Sequence, residues 1–416
     1  MTTAIKTAGQ DIHETASLTT KGANMKTKDN GTVNATWKEI LPFFIPVGFY
    51  IVHIYLIFAH QNFSFFTWCL YCLIPAIDLI MPESLNNFRE DRVRSYEKDP
   101  KFQVPLYTFW VLDFSFHFIT LYMIGQGLIG TTWYTYLFLI LGNAHLGAIN
   151  GVVGHDLLHR RNLRDKIMGT LCFSKALYTH YFIQHVQSHH KLVCTPNDSS
   201  TSHFGDSIFY YYATSVPQTF VEVWDIEKVR LERQGQSKFS LENKLFQYKL
   251  MEVAYLIFVW KVLGFAALKY QILYAILIVI IYEGVQYISH YGLLRNKDEN
   301  GNWETVTVKH AWNAPQLFSG YILFQVQRHS DHHANVYKPF HILNIHQETP
   351  MLPQGYIASL IVALVPPVFK KVMDPMVKSI RNNEKVSEEI NQLNQKLMNF
   401  TILPISILMT YLAFFL

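Results

Sequence analysis

Nine histidines stand in four short groups. They are His155-Asp156-Leu157-Leu158-His159, His185-Val186-Gln187-Ser188-His189-His190, a lone His290 in Ser289-His290-Tyr291, and His329-Ser330-Asp331-His332-His333. Imidazole is a ligand for zinc, copper and iron alike. On a helix, residues i and i+4 share one face with Cβ atoms about 6 Å apart, close enough to grip one ion. His155/His159 and His185/His189 have that spacing, and His329/His332 have its i+3 equivalent. The adjacent members, His190 and His333, point about 100° away and can reach a second ion. Nine imidazoles exceed what one first-row metal holds, so the count predicts two ions.

Each group has a blander reading. The first is an i,i+4 pair that chance also produces, and it imitates the HExxH of zinc proteases, with Asp156 one methylene short of the usual base. The second reads alternatively as a basic solvated loop, and His290 as a cap on helix carbonyls. Convergence of all four on one face carries the metal reading. Structural zinc takes four ligands, usually with cysteine, and does not explain nine. The chain has four cysteines, and Cys69 and Cys72, the one CxxC pair, lie in an apolar run. That excludes an iron–sulfur cluster and a disulfide scaffold. A histidine-rich pair of non-haem irons that activates O2 accounts for the ligand count, and an apolar substrate accounts for the setting. His53, His60, His117 and His145 lie in or beside apolar runs and read as core or interfacial residues. His180 and His310 are candidates for contact just outside the ligands.

The elements that must position these groups are membrane helices. Of 416 residues, 16% are charged and 15% aromatic, whereas soluble domains carry roughly 25% charge. The net charge of +4 is too small for nucleic-acid binding. Six apolar stretches approach the twenty or so residues a bilayer requires: Ile40–Phe58, Phe65–Met81, Val104–Ile124, Trp133–Val153, Val253–Leu268 and Ile272–Ser289. The connections within their three hairpins are short. Those between hairpins are long and hold Arg89, Arg92 and Arg94, then Arg160, Arg161 and Arg164, which places the histidines on the cytoplasmic side. The expected fold is therefore all-α and integral to the membrane, with a cytosolic histidine-rich region. Residues 1–36 read as a disordered tail without a secretory signal, and 37–382 as the catalytic membrane domain. Gly355 to Lys371 reads as re-entrant or interfacial. Residues 383–416 read as an amphipathic helix from Val386 to Phe400, then an uncharged tail that is a candidate seventh span.

With those residues in place, the chain resembles the integral-membrane alkane 1-monooxygenases, within the histidine-box hydroxylases and desaturases. The similarity runs from about Trp37 to Lys378. It rests on the histidine groups with their surroundings, Thr195-Pro196-Asn197-Asp198, Tyr287 to Arg295 and Leu323 to Ala334, supported by Arg233 to Ser237 and Val372 to Pro375. The resemblance implies two irons that take electrons from a separate rubredoxin-type donor, with O2 and a linear alkane as substrates in a bacterial inner membrane or endoplasmic reticulum. No rubredoxin module is expected within the chain. Asp198, Asp331 and Asp156 are then the acids expected to orient imidazoles. Leu70 and Ile74, on the second span, are expected to line the substrate channel. Four positions depart from the family pattern: Asp156 and Gln184 stand where it has Glu, and Gln286 and Ser289 where it has Asn and Glu. The change at Ser289 removes a carboxylate from beside His290. A lipid or fatty-acid hydroxylase or desaturase is the competing enzyme class, and a membrane metal transporter the non-enzyme one.

Overall fold

A helix in lipid must satisfy its backbone internally, and that requirement decides where this chain is straight and where it breaks. The computed structural model describes residues 34–415, so the expected N-terminal tail lies almost wholly outside the described residues. Among them there is no β-strand, only isolated bridges such as Glu83 with Gln316. Five helices are long and apolar enough to cross a membrane: α1 (Trp37–His60), α3 (Pro100–Gly125), α4 (Trp133–Leu158), α8 (Phe265–His290) and α11 (Glu388–Phe415). Between them lie α2 (Phe65–Ile80), α5 (Leu163–Lys175), α6 (Ile208–Arg233), α7 (Lys244–Phe258), α9 (Tyr356–Ala363) and α10 (Pro366–Arg381).

The second, shorter helix shows the backbone rule at work. Pro75 has no N–H to offer the carbonyl of Tyr71, four residues earlier, and the helix relaxes into a π-type turn over Cys69–Leu73. The freed carbonyl is satisfied from outside: Ser406 Oγ on α11 donates to Tyr71 O at 2.7 Å. Trp68 Nε1 donates to Thr410 Oγ1 at 3.1 Å and Cys72 Sγ to Ser406 O at 3.2 Å along the same seam.

The third hairpin differs from expectation. Its turn is at Gly264, not at Lys269–Gln271, because Gly264 sits at φ 97°, a conformation open to glycine at little cost. The helix before it starts at Lys244 and the one after it runs unbroken from Phe265 to His290. The amphipathic segment and apolar tail at the C-terminus are likewise one continuous helix, α11. The stretch between spans four and five, expected as a loop, contains α6.

The buried centre is α4, packed on α5 and α8. Small residues permit the approach: a Cβ on Gly147 would collide with the Tyr274 hydroxyl, and one on Gly154 would meet the Cys172 Cβ at 2.7 Å. A buried ion pair ties the bundle together, Lys175 at the end of α5 with Asp113 on α3. Asn150 on α4 and Tyr50 on α1 donate to the same carboxylate at 2.6 and 3.2 Å. A charge at this depth is tolerated only when it is paired.

Candidate metal centre

Helix ends deliver the histidines. His155 lies in the last turn of α4 with His159 at its cap. His290 is the last residue of α8. The second group forms a π-type turn, His185–His189, after the short helix Tyr181–Gln184. The fourth is the short helix His329–Ala334. All nine imidazoles are buried.

They converge as two sets. His155, His159, His185, His190 and His332 form one, and His189, His290, His329 and His333 the other, with the candidate ligand atoms of each set within 4.8 Å of one another. In the first set, Nε2 of His185 lies 2.8 Å from that of His155 and 2.9 Å from that of His190, whose Nε2 is 3.1 Å from that of His159. In the second, His329 Nε2 is 3.1 Å from the Nε2 atoms of both His290 and His333. Burial, reinforced by the neighbouring imidazoles, holds His185, His190, His329, His332 and His333 well below the usual histidine range. Neutral rings with nitrogens turned on one another, and a buried His332 Nε2 without a hydrogen-bond partner, present the lone pairs a metal takes. The donor sets fit two ions.

The pairing within the sets corrects the sequence expectation. His185 shares its set with His190, not His189, and His329 with His333, not His332. A π-type turn closes i→i+5 hydrogen bonds, so residues five apart come to one side and His189 is carried to the other. His155 and His159 pair as their i,i+4 spacing predicts.

Of the acids expected to orient imidazoles, Asp198 does so: its Oδ2 is 2.9 Å from His189 Nδ1 and accepts from Thr201 Oγ1 at 2.6 Å. Asp331 does not. It accepts from Lys338 at 2.5 Å, the Asn344 amide at 2.7 Å and His346 at 3.1 Å, so it organises the loop after its helix. Asp156 turns to Arg160 Nε at 2.9 Å and the Phe340 amide at 3.0 Å. His310 contributes its main-chain carbonyl, 3.1 Å from His290 Nδ1, while its ring faces Glu304. Ser289 Oγ bonds Val285 O of its own helix at 2.7 Å. His180 is buried against Tyr178 and Phe220 with neither ring nitrogen hydrogen-bonded, and it reaches no member of the cluster.

Two supports escape the sequence reading. Tyr181 OH is 2.7 Å from His185 Nδ1 and receives Tyr282 OH at 3.1 Å. Its i,i+4 spacing to His185 was the available signal. Glu222 on α6 accepts from Ser188 and, at 2.5 Å, from Ser199, bracing the π-type turn. No local pattern links it to that turn.

An apolar cavity of about 190 Å³ runs beside α4. Leu70 lines it, together with Tyr71, His145, Ile149, Val152 and Leu360. Ile74 does not: it is fully buried in the core, and Tyr71 takes the position facing the cavity. Val152 also borders a second hollow that contains His155, His159 and His332. Val152 precedes His155 by three residues, about 4.5 Å along the helix, so it stands between the cavity and the hollow of the first histidine set.

The sequence carries matching relationships. The family model described as fatty acid desaturase matches residues 131–358. An alkane 1-monooxygenase of Pseudomonas putida is 30% identical over 339 residues, covering 80% of this chain and 82% of the relative. Alkane 1-monooxygenase 1 of Alcanivorax borkumensis is 34% identical over 313 residues, with 74% and 76% covered. Alkane 1-monooxygenase 1 of Pseudomonas aeruginosa is 32% identical over 240 residues, 58% of this chain and 63% of that protein. Nine buried histidines gathered in two sets, an adjoining apolar cavity and these similarities agree: the chain belongs to the membrane alkane 1-monooxygenase family of histidine-box oxygenases.

Proposed function

We propose that the protein hydroxylates the terminal methyl of a linear alkane, using O2 and two electrons from a separate rubredoxin-type donor. The observation that carries this reading is the apolar cavity bordered by Val152, one helical turn from His155. One iron would be held by His155, His159, His185, His190 and His332, and a second by His189, His290, His329 and His333. Bound iron supplies oxygen activation. The chain's own side chains hold and orient the imidazoles through Asp198, Tyr181 and the His310 carbonyl, and they keep the approach dry. Leu70, Ile149 and Val152 align a chain that offers no polar handle, so shape and exclusion of water do the positioning. Arg160, Arg161 and Arg164 near the first set support a cytoplasmic placement of the histidines and an acidic donor.

A metal count with a Mössbauer spectrum on the purified protein tests the cofactor. Two irons per chain with nitrogen ligands are expected, and a single zinc would refute the reading. Product chromatography after incubation with octane to hexadecane, a rubredoxin and its reductase tests the reaction, with 1-alkanols expected. Products from acyl substrates alone would move the protein to the lipid hydroxylases.

A further inference from the structure

A separate cavity of about 320 Å³ lies where α1 begins, bounded by Lys38 and Phe43, by residues 84–88 and by the chain from 321 to 328. Arg328 is its buried wall. Its Nη1 donates to Asn87 Oδ1 at 3.2 Å and to the Leu343 carbonyl at 2.7 Å, and its Nη2 to the Ser84 and Asn86 carbonyls, each at 3.2 Å. Every one of those acceptors is neutral. Asp331, three residues on, is taken by Lys338 and His346, so the guanidinium has no carboxylate partner among the described residues. A charge withdrawn from water without a counter-charge costs free energy that an anion recovers in part.

The groups that the protein leaves open to this cavity can all donate. Lys38 Nζ, the Tyr321 hydroxyl and the side-chain amides of Asn86 and Gln325 line it without a hydrogen-bond partner among the described residues. Gln325 reaches it through a strained turn. Phe324 and Gln325 stand at φ 46° and 59°, a left-handed conformation that residues with a Cβ adopt only at a cost. Glu39, the acid that lines the cavity, is already occupied: Oε1 accepts from Arg92 at 3.0 Å and Tyr96 at 2.7 Å, and Oε2 from the Thr36 amide and hydroxyl at 2.9 Å. Two cations and a set of unengaged donors suit a charged group that only accepts, and phosphate is such a group.

The surroundings indicate where that phosphate comes from. Arg328 adjoins His329, so the cavity opens on the membrane face that carries the histidines. Leu41, between the lining residues Glu39 and Phe43, is 56% exposed, and Leu85, between Ser84 and Asn86, is 55% exposed. Trp37, at the start of α1, is exposed as well, and tryptophan favours the level of the lipid headgroups. We propose that this cavity binds the phosphate of an anionic phospholipid, with Lys38 and Arg328 facing the phosphate and the acyl chains lying over Leu41 and Leu85. The site is independent of the alkane reading. Arg328 ties residues 84–87 to the helix that carries His329, so a phosphate held there also fastens the fourth histidine group to the start of α1.

The test titrates the full-length protein in detergent with dioctanoyl phosphatidylglycerol and reads both the lipid retained in native mass spectrometry and the melting temperature. One lipid per chain should be retained, and the melting temperature should rise to a plateau. Dioctanoylglycerol, the same tails without the phosphate, should do neither. Inorganic phosphate, which lacks the tails, should need a concentration about 100-fold higher, since buried methylenes add to the binding of the lipid. Lys38→Gln should weaken lipid binding about fivefold, the worth of one cation near an anionic headgroup, and Gln325→Leu should weaken it as well. Arg328→Gln should abolish it. That change also releases residues 84–87, so Lys38→Gln, on the exposed rim, is the deciding variant. Lys98→Gln removes an exposed lysine outside the cavity and should leave binding unchanged. Binding that Lys38→Gln and Gln325→Leu leave unmoved, or that Lys98→Gln weakens equally, overturns the proposal, as does retention of dioctanoylglycerol. Saturation by inorganic phosphate at the lipid's own concentration overturns the phospholipid as the source.

Discussion

His185 and His190, five residues apart, bring their Nε2 atoms to 2.9 Å while His189 between them turns to the other set. The π-type turn of His185–His189 produces this division, and one segment of chain thereby serves both candidate ions. The structure consequently assigns different consequences to neighbouring residues.

Replacing His155, His189 or His332 with alanine should abolish hydroxylation while the protein still inserts into the membrane. Metal analysis refines the point: His190→Ala should lower occupancy of the five-histidine set first, and His189→Ala that of the four-histidine set. Near-normal turnover in any of these variants would remove that residue from the ligand set. His60→Ala should leave iron content unchanged. His117→Ala should too, although it removes the 2.9 Å contact with Tyr255 and should cost about 1 kcal/mol of stability.

Asp198→Asn and Tyr181→Phe each change the partner of an imidazole without touching a candidate ligand. Loss of such an outer partner typically lowers metal affinity about 10- to 100-fold, and the expectation here is a drop of that order for both. Competition with a chelator measures it. Asp331→Asn contacts no member of the cluster and should fall outside that range. Equal metal loss in all three variants would argue against a specific role for Asp198 and Tyr181.

Leu70→Trp should shift the product profile toward shorter alkanes, because Leu70 lines the cavity and overpacking there costs about 1–3 kcal/mol. Ile74→Trp provides the contrast. Ile74 is buried in the core away from the cavity, so the larger ring should lower thermal stability with little selective effect on chain length. Chromatography across octane to hexadecane distinguishes the two, and an unchanged profile in Leu70→Trp would count against the cavity as the substrate path.

Deleting Phe400–Leu416 should leave the iron content intact but loosen α2. The smaller change, Ser406→Ala, leaves the Tyr71 carbonyl without its donor and should destabilise the protein by about 1–3 kcal/mol, with Ser406→Thr restoring the bond. Melting in detergent reports the loss. Complete loss of metal on deletion would place α11 inside the catalytic core.

The sequence by itself determined that this chain is a helical membrane protein with nine histidines in four short groups. Apolar length and clustered imidazoles are properties of composition and short-range order. Spacing also pairs His155 with His159, since α4 continues as a regular helix through both. Spacing misled at His185, where a π-type turn replaces the regular helix, whereas His329 and His333 share a set at the i,i+4 spacing of their short α-helix. Glu222, thirty-odd residues away on α6, braces the turn that separates His189 from His190. Which acid faces an imidazole was equally a tertiary matter. Asp198 and Asp331 look alike in sequence, but the carboxylate of Asp331 is drawn to Lys338 and His346 by the loop that folds back over it. The position of Ile74 follows from Pro75 and the π-type turn, which rotate α2 so that Tyr71, not Ile74, joins Leu70 at the cavity. Apolarity along a chain says that a side chain is buried; which neighbour buries it depends on contacts between segments far apart in sequence.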